Sequence, residues 1–464
     1  MLRLEPLIIG KLMYSRIFIF ICVITINFSF SANAKDTLTG AMVSAYNTSG
    51  LLEQNRAVLR AADEDVATAA SQLAPVVSWA SSVSHSDSGS SSYDTSASAS
   101  LSASYTLYDG GKSNLGLEAA KFSVLATRSK LVSIEQNVLF EAVTAYLGVI
   151  RETENVSLRE NNLSVISEEL RAANDRFEVG EITKTDVALA EARLAASNSA
   201  LAVAKGSYEK AKAGYISSIG EKPDSLEYPT FVPEVPNSLE SAIAIALTEH
   251  PSIDELKNLI KVSEINSKIA DLSTGFTISL GSSVSLDEEG ETSGSLSVSA
   301  SGPIFSGGKL YSSSRKKIAL KEQVLARLYS SKISIEQNVT NAFSQVQVAE
   351  AAKLAAEEQI RATEVALKGV KEEAILGART TLDVLNAEKD LLDARMQLIS
   401  AKVDENLSLY RLLLQIGRLT ADYLSLPVRQ YDVKKYYDLV KNSPASKTKS
   451  GRELDNILKS LAKD

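Results

Sequence analysis

Cysteine is almost missing from this 464-residue chain, and Cys22 is the only one. It falls inside an amino-terminal leader, so the mature chain carries no thiol, no disulfide and no cysteine-built metal site. Histidine is as scarce. His85 and His250 are too few for a typical metalloenzyme or a histidine-based triad. No nucleophile–base pair and no metal-ligand spacing stands out, so neither an enzyme nor a cofactor is expected. Positive charge is in deficit too. The net charge is −8, and about −10 once the leader is removed, which argues against a nucleic-acid partner. Beyond the leader no run reaches ~18 apolar residues, so a membrane is not crossed by an apolar helix.

The leader spans residues 1–34. Lys11 and Arg16 supply its positive region, Ile17–Ile26 an apolar stretch too short to span a bilayer, and Ala32-Asn33-Ala34 the small-residue cleavage pattern. The long basic region makes Met13 a second candidate start. The residues before Cys22, Ile19-Phe20-Ile21, lack the small side chains of a lipid-attachment site. The mature chain is read as exported from near Lys35.

What the chain does contain is a duplication. VSIEQNV at Val132–Val138 returns as ISIEQNV at Ile333–Val339, 201 residues later. TLYDGGK (Thr106–Lys112) faces PIFSGGK (Pro303–Lys309), and VGEITKTDVALAEARL (Val179–Leu194) faces LGARTTLDVLNAEKDL (Leu376–Leu391), both 197 apart. The four-residue slip is about one helical turn, which keeps the helix face. A period of about 200 is too long for a solenoid. The repeats are read as residues 35–236 and 237–426.

Proline is absent between Pro75 and Pro223 and between Pro303 and Pro427. Those stretches are rich in Ala, Leu, Glu and Lys, good helix formers. Long helices are expected over 112–177 and 309–374, with turns at Gly180 and Gly377. Return helices follow over 184–218 and 381–416. Shorter inner helices are expected over Thr39–Ala74 and Pro251–Leu272. Leu385, Leu392, Met396, Ile399 and Val403 form a coiled-coil-like seam, which a solvated helical hairpin would also show.

Two serine-rich windows interrupt the helices, at about 76–107 and 276–304. Their composition suits a linker. Their apolar residues, however, alternate: Val77, Trp79 and Val83; Leu101, Ala103, Tyr105 and Leu107; Phe276, Ile278, Leu280, Val284 and Leu286; Leu296, Val298 and Ala300. Period two over runs of about ten residues is the pattern of membrane β-strands. Each repeat would then donate one hairpin. Four strands cannot enclose a barrel, for which about eight are needed, so the chain must oligomerise. The Gly110-Gly111 and Gly307-Gly308 pairs supply the backbone freedom for the switch from strand to helix.

The order helix, hairpin, YDGGK, long helix, FEVGEITKTDV, repeated with FSGGK and GARTTLDVLNAEKDLLDAR, resembles the TolC family of outer-membrane efflux proteins. The likeness runs to about Leu426. Leu419–Asn442 is similar to the tail of members that serve type I protein secretion. The resemblance implies a homotrimer in the outer membrane of a Gram-negative bacterium, with a twelve-stranded β-barrel continued by a periplasmic α-helical barrel. It also implies two partners, a periplasmic adaptor and an inner-membrane pump of the ABC or RND type. The function it implies is an exit duct for secreted protein or small-molecule drugs. The competing reading is a structural periplasmic coiled-coil protein, an adaptor or adhesin.

In that family the turn end of the tube is constricted and ringed by acidic residues. Asp383 matches the first aspartate of the second-repeat pattern Asp-x-x-Asp, and Asn386 stands where the second would be. Arg379 matches an arginine that helps hold the tip closed, while Ala374 stands where a tyrosine partner is expected. Thr185 and Asp186 match the first-repeat positions. From the residues alone, Thr183-x-x-Asp186 and Thr380-x-x-Asp383 also read as helix-capping arrangements, a role compatible with gating. The remaining tail, 427–464, holds nine Lys/Arg against five Asp/Glu and is expected to be polar and mobile from Asn442 onward.

Overall fold

Two helical hairpins and two β-hairpins alternate along the chain. The computed structural model describes residues 37–87, 93–229, 233–442 and 448–461. The leader, with Met13, lies outside these residues, as does the centre of the first β-hairpin loop. The first copy comprises α1 (Leu38–Thr48), α2 (Gly50–Ser71), β1 (Val76–Asp87), β2 (Tyr93–Tyr108), α3 (Lys112–Glu178) and α4 (Lys184–Ile219). The second comprises α5 (Leu239–Glu249), α6 (Pro251–Leu272), β3 (Thr277–Leu286), β4 (Thr292–Ser301), α7 (Lys309–Ile375) and α8 (Thr381–Ile416). Two short helices follow, α9 (Lys435–Val440) and α10 (Lys449–Leu461). The fold is mainly helical with one small antiparallel sheet. No helix among the described residues is long and apolar enough to cross a membrane.

The long helices α3 and α7 each run 67 residues without a proline. At a rise of 1.5 Å per residue that is ~100 Å. Each stops at a glycine in the left-handed region, Gly180 at φ 82° and Gly377 at φ 77°. The amides of Gly180 and Glu181 donate to the carbonyls of Phe177 and Arg176, and those of Gly377 and Ala378 to Ala374 and Glu373. This paired closure satisfies the last helical carbonyls, and it needs the glycine because a Cβ is strained at that φ.

The inner helices depart from expectation. Thr39–Ala74 is not one helix but two, broken at Ser49, whose hydroxyl accepts from the Leu52 amide and restarts the helix as α2. The second copy breaks at the equivalent station 201 residues on. There His250, extended before Pro251, ends α5 and accepts from the Ser252 amide through Nδ1. Pro251 made α6 legible, whereas α5 begins at a weaker signal, Ser238, whose hydroxyl accepts from the Ser241 amide, and is not part of the expected helices.

The sheet has the order β1-β2-β3-β4, all antiparallel, with β1 and β4 at its edges. Its register places Trp79 opposite Leu101, Leu101 opposite Val284, Tyr105 opposite Leu280 and Leu280 opposite Val298. These share one face, and Trp79 and Leu296 on it are 79% and 75% exposed. The other face is a ladder of serine pairs, Ser78–Ser102 at 2.8 Å, Ser84–Ser96 at 2.7 Å, Ser283–Ser295 at 2.8 Å and Ser285–Ser293 at 2.8 Å. Strand β2 runs through Tyr108, with a register shift between Thr106 and Tyr108. Strand β4 ends at Ser301 rather than reaching Ile304. Gly302 lies close against Phe276 there, and Pro303 has no amide to donate to a ladder.

Contacts divide the chain into two units, and each draws on both copies. One comprises residues 1–48, 142–232 and 356–403. Its cluster of Ile166, Ala173, Ala190 and Leu385 packs α3 and α4 against α8. The other comprises residues 49–141, 233–355 and 404–464 and contains the sheet. Beyond Asn442 the tail is expected to be polar and mobile, and Leu454 departs from that by joining a core cluster. Tyr436, Val440 and Leu454 form a core cluster with Ala67 of α2, and the Tyr436 hydroxyl donates to Glu64 at 2.7 Å. Composition hides this because the few apolar residues of α10, Leu454 and Ile457, recur at helical spacing on one side. Burying a side chain such as Val440 contributes about 1.5–3 kcal/mol.

Candidate functional site

The two helical-hairpin turns are built alike. In the first, the Thr183 amide and hydroxyl both donate to Asp186 Oδ2, at 2.9 and 2.8 Å, and the Asp186 amide donates to Thr183 Oγ1 at 3.4 Å. In the second, the Thr380 amide and hydroxyl donate to Asp383 Oδ2, both at 2.9 Å, and the Asp383 amide donates to Thr380 Oγ1 at 3.2 Å. Each aspartate therefore caps the helix it begins, at the end where the helix dipole favours a carboxylate. Hydrogen bonds from the Thr183 hydroxyl and amide hold the Asp186 carboxyl below its usual range. Those from the Thr380 amide and hydroxyl do the same for Asp383, with a smaller contribution from the Arg379 charge. Both groups stay anionic at neutral pH.

Around the second turn the partners differ from what the pattern suggested. Arg379 Nε donates to Glu373 Oε2 at 2.7 Å, an ion pair within its own turn. Asn386 is the residue that reaches the first hairpin, where its Oδ1 accepts from Arg193 Nη2 of α4 at 2.8 Å. Thr185 is exposed, with no side-chain partner among the described residues. A second link joins the hairpins: Lys371 Nζ of α7 lies 2.5 Å from the buried Glu388 of α8 and 3.7 Å from Glu169 of α3. Sequence reasoning missed Arg193, Lys371, Glu388 and Glu169. The one available signal is that Arg193 stands seven residues after Asp186, on the same helix face.

The strand-to-helix turns are the second element of the site. Gly110, Gly111, Gly307 and Gly308 all have positive φ, at 73°, 88°, 58° and 82°. In the first copy Asp109 fixes the turn, accepting from the Gly111 amide at 2.8 Å and the Ser113 amide at 2.7 Å. Ser306 occupies the equivalent place in the second copy, and its carbonyl accepts from the Lys309 amide at 3.2 Å. Among the described residues no group of three or more His, Cys, Asp or Glu is placed to hold a metal ion. The turns offer fixed carboxylates and exposed apolar side chains, Val179, Ile375 and Leu376 among them.

Comparison with known proteins bears on these features. The family described as outer membrane efflux protein matches residues 43–221 and 270–418. The chain is 35% identical over 419 residues to the outer membrane efflux protein BepC of Brucella suis biovar 1 (strain 1330), covering 89% of this chain and 92% of that one. It is 24% identical over 303 residues to the alkaline protease secretion protein AprF of Pseudomonas aeruginosa, covering 60% of this chain and 61% of that one. Among solved structures it is similar in fold to the CmeC outer membrane channel of Campylobacter jejuni, with a TM-score of 0.76 at 16% identity over 88% of this chain and 90% of that one.

Proposed function

The chain belongs to the outer membrane efflux protein family, the TolC family, and on that premise we propose that it is the exit duct of a tripartite export system. It is an outer-membrane protein with a large periplasmic helical part. The observation that carries the proposal is the sheet. One face is apolar and bare, the other is a serine ladder, and both edges are open. Such a sheet suits a barrel wall with lipid outside and water inside, and lipid forbids open edges. The competing structural-protein reading accounts for the helices and leaves this sheet without a purpose.

Closure as a homotrimer, with twelve strands, is supported by the repeated phrase. In the first copy Glu135 accepts from the Ala421 amide at 2.8 Å, and the buried Gln136 donates to the Gly417 carbonyl. The repeat offsets map these groups onto Glu336 with Asp224 and Gln337 with Gly220. All four are exposed in the single chain. Other apolar side chains of α7 are likewise bare, with Tyr329 70%, Val348 57% and Val365 68% exposed. In the trimer, Glu336 and Gln337 of one protomer bond the Asp224 amide and Gly220 carbonyl of the next, as the first copy does within the chain.

The partners are a periplasmic adaptor, which engages the apolar hairpin turns, and an inner-membrane pump of the ABC or RND type that supplies the energy. Passage through the duct itself is passive. Small-molecule efflux is the favoured cargo reading, because the relative named for efflux matches the larger share of this chain. Protein passage by type I secretion is the second reading, supported by the likeness to the protein named for alkaline protease secretion.

The test is cross-linking with a short bis-maleimide. Glu336→Cys with Asp224→Cys is expected to give a covalent trimer on a denaturing gel. Glu135→Cys with Ala421→Cys is expected to give only an internally linked monomer. Intermolecular products limited to dimers, or none, would reject the trimer. Loss of outer-membrane export on deletion of the chain, restored by the wild type, tests the duct itself.

A further inference from the structure

The family match ends at residue 418, and the segment beyond it builds one wall of a cavity of about 480 Å³ against α2. That volume lies in the range of small-molecule pockets. Four cations line it, Arg56 and Arg60 from α2 and Arg429 and Lys435 from the tail, against a single carboxylate, Asp432. The Asp432 carboxylate is already committed, because its Oδ1 accepts from the amides of Lys434 at 2.9 Å and Lys435 at 3.2 Å.

The two α2 arginines are held in place. Arg60 Nη2 lies 2.9 Å from Glu53 and Arg56 Nη1 3.5 Å from it. Arg60 also hydrogen-bonds the Tyr431 hydroxyl, and the Arg56 guanidinium sits 5.4 Å over the Tyr431 ring. The tail cations are different. Arg429 and Lys435 have no side-chain partner among the described residues, and both are exposed at the mouth. Glu53 and Glu135 face the α2 arginines, and Glu64 and Asp63 lie beside Tyr436 and Tyr431, so the uncompensated cations at the cavity are Arg429 and Lys435. Converging cations repel unless an anion joins them, and guanidinium forks match carboxylate and phosphate oxygens. The Ile457 side chain and the Tyr431 ring add an apolar floor.

We propose that this cavity binds a small multivalent oxyanion, bearing carboxylate or phosphate groups, which bridges α2 to the carboxy-terminal segment. The site stands apart from conduction, and its failure leaves the duct untouched. The anion is held by Arg429 and Lys435 on the tail side and by Arg56 and Arg60 on the helix side. Bound there, it ties down the segment that carries α9 and α10.

The experiment uses the full chain purified in detergent at low salt, with citrate and pyrophosphate as separate probes, read by titration calorimetry and thermal unfolding. Saturable binding of one probe per chain, with a raised unfolding temperature, is expected. Arg429→Gln with Lys435→Gln should weaken that binding at least about tenfold, the loss of one or more charge-assisted hydrogen bonds. These side chains have no partner to lose, so the variant's ligand-free unfolding temperature should match the wild type. Lys316→Gln with Lys317→Gln, on α7, should bind as the wild type does. A preference for citrate assigns carboxylate chemistry, and a preference for pyrophosphate assigns phosphate. No saturable binding of either probe, or equal loss in the α7 variant, would overturn the proposal.

Discussion

Arg193 of the first return helix donates a 2.8 Å hydrogen bond to Asn386 of the second, and so joins the two hairpins close to their turns. The donor is charged, the acceptor is neutral and the site is exposed, so the bond contributes on the order of 1 kcal/mol. If it helps hold the turns together, Arg193→Ala and Asn386→Ala should each raise the conductance of the reconstituted protein. The double variant should match the singles, because one bond is lost in all three. Asn386→Asp should lower conductance, since a carboxylate adds an opposite charge and a two-pronged match to the Arg193 guanidinium. Additive single effects in a double-mutant cycle would show the bond to be incidental.

Asp63 gives the protein a dependence on pH. It is 1% exposed on α2, and neither carboxylate oxygen has a hydrogen-bond partner among the described residues. Burial pushes the carboxyl up to about 6, the Arg128 charge opposes the rise, and Glu64 adds to it. Tyr431, Tyr436 and Arg60 complete its charged and titratable surroundings. The folded protein holds this proton more tightly than the unfolded chain, so the contribution is full below about pH 4. It is lost as pH rises through about 6. The loss amounts to about 3 kcal/mol, because each tenfold gain in proton affinity on folding is worth roughly 1.4 kcal/mol. Asp63→Asn should therefore unfold at a higher temperature than the wild type at pH 7.5, and the advantage should shrink steadily as pH falls toward 4. Parallel profiles for the two proteins would contradict this.

The two faces of the sheet should respond oppositely to charge. Val298→Lys places an ammonium on the apolar face, where the cost near a bilayer midplane is about 2–4 kcal/mol. Folding into lipid vesicles should fall accordingly. Ser283→Lys places the same group on the serine ladder and should leave folding intact while shifting ion preference toward anions. Gel mobility before and after heating reads the first effect and reversal potential reads the second.

Much of the fold was legible because it rests on local chemistry. Gly180 and Gly377 announce helix ends, and period-two apolar residues flanked by serine announce strands whose two faces differ. The paired Thr-x-x-Asp units announce helix starts, and their carboxylates bind where capping geometry requires. What stayed hidden depends on which surfaces meet. Arg193 and Asn386 are not equivalent positions in the two copies, so no comparison of the repeats joins them. Arg379 satisfies its charge on Glu373 six residues away, a local option that competes with any partner across the hairpins. The tail reads as polar by composition, yet Tyr436 and Leu454 find an apolar seat on Ala67 that exists only after α2 has folded. Ser49 breaks a helix with nothing stronger than a serine cap before a glycine, a signal common on helix surfaces as well.

Single-channel recording of the mature chain in a planar bilayer, wild type beside Asp383→Ala, tests the exit-duct account most directly. Discrete cation-preferring steps are expected, and a gating role for Asp383 predicts lower cation preference in the variant, since a carboxylate lining a narrow pore favours cations. Steps unchanged by the substitution would confine Asp383 to capping α8. A folded oligomer that produces no steps at all would contradict the duct.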